Sequence, residues 1–216
     1  MGKKQHMVIT AGPTREMLDP VRFLSNVSTG VMGYVLARQA ERLGFRVTLV
    51  SGPTTLKPPD GVTFVPVVTA QEMKQALSEV WPTADILVMT AAVCDYTPVE
   101  YSKTKIKRIE QQTIRLRQTE DIVKWFGEQK GKRFVVGFAL ETENYMANAV
   151  RKLQEKNLDL IVLNWYGQGN NPFGTAQTSM ILVDRSGAQK KLDRMTKGDA
   201  AKIILDEILK RCAKKD

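Results

Sequence analysis

Several short stretches of this sequence carry residue types able to do chemistry. Ser28-Thr29-Gly30, with Gly33 beyond, opens a helical stretch. Hydroxyls can cap such a helix, and its free N–H groups suit an anion. Ala91-Ala92 lies toward the end of the apolar run 86–93. Small side chains there leave room for a base or ribose against the backbone, although simple close packing explains the pair equally well. Phe138 ends another apolar run and reads either as a base-stacking ring or as core. Lys103, Lys105 and Lys107 alternate within 101–108. In an extended chain their ammonium groups share one side. The run is either a solvated loop or a lid that closes over a triphosphate.

The exclusions narrow the field. The chain holds one histidine, His6, and two cysteines, Cys94 and Cys212. His6 precedes the first apolar run, in a terminus expected to be loose over residues 1–6. A Ser–His triad or a histidine zinc site needs a histidine inside the fold. The reaction must therefore run on lysines, carboxylates, amides and backbone donors. Cys94 has no histidine to activate it and reads as a small buried residue. Two cysteines so spaced give neither a disulfide framework nor a metal motif. Basic residues exceed acidic ones by 32 to 23, a net charge of +9. That excess serves solubility, loose attraction to nucleic acid or a site for small polyanions, and charge alone does not separate these.

The elements that must position these residues follow from periodicity. Runs 8–11, 47–50, 86–93, 134–139 and 160–163 lack the alternation of a half-wet strand and read as buried parallel strands, with another strand at 63–68. Helical stripes intervene: Leu36, Ala40 and Leu43 ahead of a Gly44 cap; Met73, Leu77 and Val80 after Thr69; a helix opened by Glu120-Asp121; and one at 146–153. Residues 113–117 read as an edge-like strand, 167–175 as a loop, and 180–183 begins a hairpin around Arg185-Ser186-Gly187. The last helix, 199–211, turns Ala200, Ile203, Ile204 and Ile208 inward. The expected class is α/β: a Rossmann-like three-layer fold with a mostly parallel sheet, helices on both faces and a C-terminal hairpin, in a single domain over 1–216. About twenty residues separate the first strand from the first helix, whereas a dinucleotide fingerprint puts its glycines directly between them, so a standard NAD site is not expected. No apolar run approaches the roughly 18 residues of a membrane span. A cytoplasmic protein with no membrane association is expected.

Taken together, the stretches Ile9-Thr10-Ala11-Gly12-Pro13-Thr14-Arg15-Glu16, Asp19-Pro20-Val21-Arg22, Ser25-Asn26, Gly30 with Met32-Gly33, Ala91-Ala92-Val93 with Asp95-Tyr96, Lys105-Ile106-Lys107, Asp121-Ile122-Val123, Val136-Gly137-Phe138-Ala139 with Glu141-Thr142, and Lys156-Asn157-Leu158-Asp159 resemble the bacterial phosphopantothenate–cysteine ligases of coenzyme A biosynthesis. The resemblance covers residues 8–211. Each motif is weak alone; their order and spacing make the set specific. In bacteria this domain is often fused to a flavin-dependent decarboxylase, so the chain resembles either a free-standing ligase or one half of such a fusion.

The resemblance implies a two-step reaction. The carboxylate of 4′-phosphopantothenate attacks the α-phosphate of CTP, with Mg²⁺, giving an acyl-cytidylate and pyrophosphate; the amine of L-cysteine then forms the amide and releases CMP. It implies that Asn26 donates to the acyl oxygen, that Arg22 shapes the same loop or holds a phosphate, and that Lys105 is the lid lysine. Ser28, Thr29 and Gly30 would form a phosphate loop. Met89, Thr90, Ala91, Ala92, Asp95, Glu120, Asp121, Ile122, Val123, Phe138, Lys152 and Lys156 would line the nucleotide and intermediate, with Phe138 by the cytosine. The metal ligands are not readable from the sequence. A homodimer is implied, and no nucleic-acid partner. Cys94 stands where alanine is common and Glu120 where proline is common; the second puts a carboxylate beside a nucleotide pocket. Eukaryotic relatives with diverged versions of these stretches can use ATP, so the same ligation with ATP is the nearest alternative. A non-catalytic nucleotide-binding subunit and a short-chain oxidoreductase, on the Tyr101–Lys105 spacing, are the others weighed.

Overall fold

The computed structural model describes residues 4–167, 169–173 and 177–213. Its centre is β1 (His6–Ala11), every residue of which is buried. Such a strand needs apolar cover on both sides, and the chain supplies it with parallel neighbours and helices above and below. β1 pairs in parallel with β4 (Arg46–Ser51) on one edge and β6 (Ile86–Met89) on the other. β5 (Thr63–Pro66) extends the sheet beyond β4. β9 (Phe134–Glu141) and β10 (Leu160–Trp165) extend it beyond β6. The antiparallel hairpin β11 (Thr178–Asp184) and β12 (Gln189–Met195) closes that side. The order is β12-β11-β10-β9-β6-β1-β4-β5. Because the chain builds outward from β1 to β5 and then returns to β6, the order reverses between β1 and β6, and a crevice opens at their carboxyl ends.

Two apolar layers sandwich the sheet. α1 (Val31–Arg42) and α5 (Lys197–Cys212) pack through Leu36, Ala37, Ala40, Ala200, Ile204 and Ile208 on one face. α2 (Ala70–Val80), α3 (Ile122–Glu128) and α4 (Tyr145–Glu155) cover the other with Met73, Leu77, Phe126 and Leu153. No helix among the described residues is long and apolar enough to cross a membrane.

Several expectations need correction. His6 is not in a loose terminus: it opens β1 at 3% exposure. Its Nε2 lies 2.8 Å from Thr48 Oγ1 and its Nδ1 3.1 Å from Thr83 O, partners far along the chain that satisfy a buried imidazole. Residues 1–3 lie outside the described residues. Leu43 is 53% exposed, because α1 ends before it and it serves as the C-cap. The run at 86–93 is a strand only to Met89; the expected strand at 113–117 is reduced to β8 (Leu116–Gln118), paired with β7 (Tyr96–Pro98) in a small sheet of its own. The long connector after β1 holds a second small sheet, β2 (Arg15–Met17) with β3 (Phe23–Ser25). Residues 168, 174 and 175 of the expected loop lie outside the described residues.

Candidate active site

At the switch point the sheet offers two cavities rather than one. The larger, about 550 Å³, lies on the α3 and α4 side. Met89, Ala91, Ala92, Asp95, Glu120, Asp121, Ile122, Val123, Phe138, Lys152 and Lys156 all line it. These are the expected nucleotide residues apart from Thr90. The smaller, about 200 Å³, lies on the α1 and α5 side, lined by Ser28, Thr29, Gly30, Thr90, Asn164 and Lys197 among others. Ala91, Ala92, Phe138, Ala139 and Leu140 belong to both. The two spaces meet across the ends of β6 and β9, where the small alanines keep the partition thin.

The electrostatics of the larger cavity rest on two ion pairs. Lys156 Nζ stands 3.0 Å from Asp121 Oδ2, and Lys152 Nζ 2.6 Å from Glu141 Oε1. Asp121 also caps α3 by accepting from Lys124 N. The Glu120 carboxylate pairs with Lys74 of α2, so its charge is met at the rim. Lys74 in turn lies 4.8 Å over the Trp125 ring. The rest of the Lys156–Asp159 motif is structural. Asn157 adopts a left-handed φ of 50° and donates to Gly127 O at 2.8 Å; Asp159, buried, bonds Lys130 Nζ at 2.8 Å and Val135 N at 2.9 Å.

The smaller cavity is built on the start of α1. Ser28 and Thr29 do not cap it: Gly30 is the N-cap, at φ 76°, with no side-chain cap bond. Glycine takes that left-handed turn without strain. Ser28 Oγ instead accepts from Gly30 N at 3.3 Å. Gly33 lets the first turn lie against β1, for a Cβ there would stand 2.5 Å from Ala11 Cβ and 2.6 Å from Thr90 Oγ1. The first turn holds no acidic residue whose charge would oppose an anion there. Lys197, 7% exposed, lines the same space and donates to Pro172 O at 2.9 Å; burial holds its ammonium below the usual lysine range.

The residues expected to act in catalysis line neither cavity. Asn26 sits at the junction: its Nδ2 donates to Ala92 O at 3.0 Å and Val93 O at 3.1 Å. Arg22 Nη1 donates to Asp19 Oδ2 and to Ile106 O. Lys105 is exposed on the segment joining β7 to β8, and the chain bends at Lys103 and Thr104, so the extended alternation expected of the lysines is interrupted there. Burial raises the Cys94 thiol, whose Sγ faces Thr14 O at 3.4 Å, an inert setting.

Residues 2–212 match the family model of the DNA/pantothenate metabolism flavoprotein C-terminal domain. The chain belongs to this family. It is 44% identical over 206 residues to the coenzyme A biosynthesis bifunctional protein CoaBC of Bacillus subtilis, covering 94% of this chain and 51% of that protein. A protein named cysteine/cysteine sulfinic acid decarboxylase, from an unknown prokaryotic organism, is also 44% identical, with 95% of this chain and 58% of that protein covered. The chain therefore spans about half the length of these relatives. The crystal structure of a CoaBC C-terminal domain superposes with a TM-score of 0.81 at 40% identity, covering 94% of this chain and 93% of that one.

Sequence reasoning missed Asn164, Lys197 and Asp19. Lys197 left a signal: a cation in the first turn of a helix opposes the helix dipole, and such a placement needs a reason. Asp19 lay within a quoted motif, but its partner at Ile106 is too distant in sequence to infer.

Proposed function

We propose that this domain is a phosphopantothenate–cysteine ligase that activates its substrate with CTP. The pair of cavities meeting at Ala91 and Ala92 carries the reading. An acyl-nucleotidyl transfer needs two anionic substrates held apart until a carboxylate oxygen can reach the α-phosphorus, and this geometry supplies two compartments with a common wall. The larger takes the nucleotide, with Phe138 against the base and Lys152 and Lys156 toward the phosphates. The smaller takes 4′-phosphopantothenate, its phosphate toward the start of α1 and Lys197.

In the first step the substrate carboxylate oxygen bonds to the α-phosphorus and pyrophosphate leaves. In the second the cysteine amine attacks the acyl carbon, the amine's proton passes to solvent or to the departing phosphate, and CMP leaves. No protein nucleophile takes part. His6, at the opposite end of β1, is roughly 17 Å along the strand from Ala11 and serves neither step. Asn26 stabilises the second transition state when one of its two N–H groups exchanges a strand-end carbonyl for the developing oxyanion. Lys105 reaches toward the triphosphate from the segment that joins β7 to β8.

Among the described residues no three His, Cys, Asp or Glu side chains converge on a metal position. A magnesium ion would therefore arrive on the triphosphate and take at most one or two protein carboxylates, of which Asp95, exposed at the cavity, is the candidate. It would neutralise phosphate charge there.

The experiment is pyrophosphate release from CTP, and in parallel from ATP, with phosphopantothenate present and cysteine absent. Release with CTP supports the reading, release with ATP alone transfers it to the ATP-dependent form, and none with either overturns it.

A further inference from the structure

Asp19 has the most saturated carboxylate near the site. It is fully buried, at 0% exposure, in the connector between β2 and β3. Oδ1 accepts from Val21 N and Arg22 N, both at 2.8 Å. Oδ2 accepts from Arg22 Nη1 at 3.2 Å and from Ile106 N at 3.1 Å. A carboxylate offers about four lone-pair positions, and these four donors use them. Asp19 thus has no lone pair free to ligate a metal. Burial alone would raise its carboxyl, but the N–H donors of Val21, Ile106 and Arg22 and the Arg22 guanidinium outweigh it and hold the group ionised below the usual carboxylate range.

The Ile106 bond is the informative one, because it crosses to the segment that carries Lys105. Three further contacts close the same turn. Ser102 N donates to Leu18 O at 3.0 Å, Ser102 Oγ to Thr104 O at 2.6 Å, and Arg22 Nη1 to Ile106 O at 3.0 Å. Residues 102–106 are thereby pinned at both ends to Leu18, Asp19 and Arg22, with Lys103 and Lys105 exposed between the pins. A lysine on a long free loop would lose much rotational and backbone freedom on meeting a phosphate; a lysine on a clamped turn has already lost part of it.

We propose that Asp19 is a positioning residue for Lys105: its buried carboxylate fastens the 102–106 turn to the connector that also carries Arg22 and Asn26, and so fixes the base from which the lysine reaches the triphosphate. This rests on the nucleotide role given to Lys105 above. The connector and the lysine segment then move as one body.

The test is Asp19→Asn, whose amide nitrogen cannot accept from Ile106 N–H, measured with Lys105→Ala and the double variant for pyrophosphate release without cysteine. Asp19→Asn should lose roughly ten- to hundredfold, as expected for a charged hydrogen bond. The double variant should fall no more than about twofold below Lys105→Ala, because the two act through one contact. Trypsin should cut after Lys103, Lys105 and Lys107 at least about tenfold faster in Asp19→Asn, while cleavage after Lys152 and Lys156 in and beside α4 stays unchanged, which separates local release from global unfolding. Losses that multiply, or an unchanged cleavage rate, overturn the proposal. If Lys105→Ala releases pyrophosphate at the wild-type rate, the lysine's role itself fails and the proposal falls with it. Should Asp19→Asn not fold, amide exchange at Ile106 in the unaltered protein decides the clamp: protection of roughly a hundredfold supports it, and exchange at the free-peptide rate overturns it.

Discussion

Asn26 is tied to Ala92 by a 3.0 Å hydrogen bond from its amide nitrogen to the backbone oxygen, with Val93 O taking the second N–H. The residue proposed to stabilise an oxyanion thus also ties down the strand end at which the two cavities meet. Asn26→Ala should impair the cysteine-dependent step more than activation, so that acyl-cytidylate accumulates and is seen by mass spectrometry. The loss in the second step should be of the order of 2.7–4 kcal/mol, the worth of one oxyanion donor. Equal loss in both steps would make Asn26 a purely structural tie.

Lys105→Ala should slow pyrophosphate release, by roughly 1.5–3 kcal/mol of a charge-assisted contact, and leave thermal stability unchanged because the side chain is exposed. Rapid-quench measurement of pyrophosphate reads the first effect and a melting curve the second.

Gly33→Ala should push α1 off β1. The new Cβ would stand 2.5 Å from Ala11 Cβ and 2.9 Å from Thr10 O, neither of which can swing away. Overpacking of this kind costs about 1–3 kcal/mol. Melting temperature should fall, and phosphopantothenate affinity should fall more than nucleotide affinity, since the shift is on the smaller cavity's side.

Asp159→Ala should be among the most destabilising substitutions, about 3–5 kcal/mol, because it removes the carboxylate that meets the buried Lys130 ammonium and accepts from Val135 N. Denaturant unfolding measures it. Lys156→Ala, one turn of logic away in the same motif, should instead weaken nucleotide binding, because its partner Asp121 lies at the cavity.

Acid should loosen the C-terminal helix. Lys190, against the opposing effect of burial and with help from Arg211, holds the Glu207 carboxyl down to about 2. A carboxyl lower in the folded than in the unfolded chain stabilises the fold above its unfolded value, near 4.5, and that stability is lost as pH falls from there toward 2. Glu207→Gln should flatten the fall of stability across this window, read by urea unfolding at successive pH values.

The sheet was legible because its strands are buried on both faces and read as unbroken apolar runs, and most helices because their stripes hold a 3.6-residue period. What escaped depends on distant partners. The three-residue strands β2, β3, β7 and β8 are too short for a pattern, and His6 looked like a polar terminus because Thr48 and Thr83 become its neighbours only in the fold. The large cavity's lining was legible through a set of motifs whose residues converge at one sheet end. Asp19, Asn164 and Lys197 were not, since each meets its partners through folding rather than through spacing. Glu120, a departure by sequence, is met by Lys74 from another helix.

The central claim is that the carboxylate of phosphopantothenate is joined to the α-phosphate of the nucleotide before the amide forms. Turnover with cysteine and phosphopantothenate labelled with ¹⁸O in the carboxylate tests it most directly, with each product weighed by mass spectrometry. The account predicts that one carboxylate oxygen appears in CMP and none in pyrophosphate. The displaced carboxylate oxygen found in water or in inorganic phosphate, with none in CMP, would contradict it.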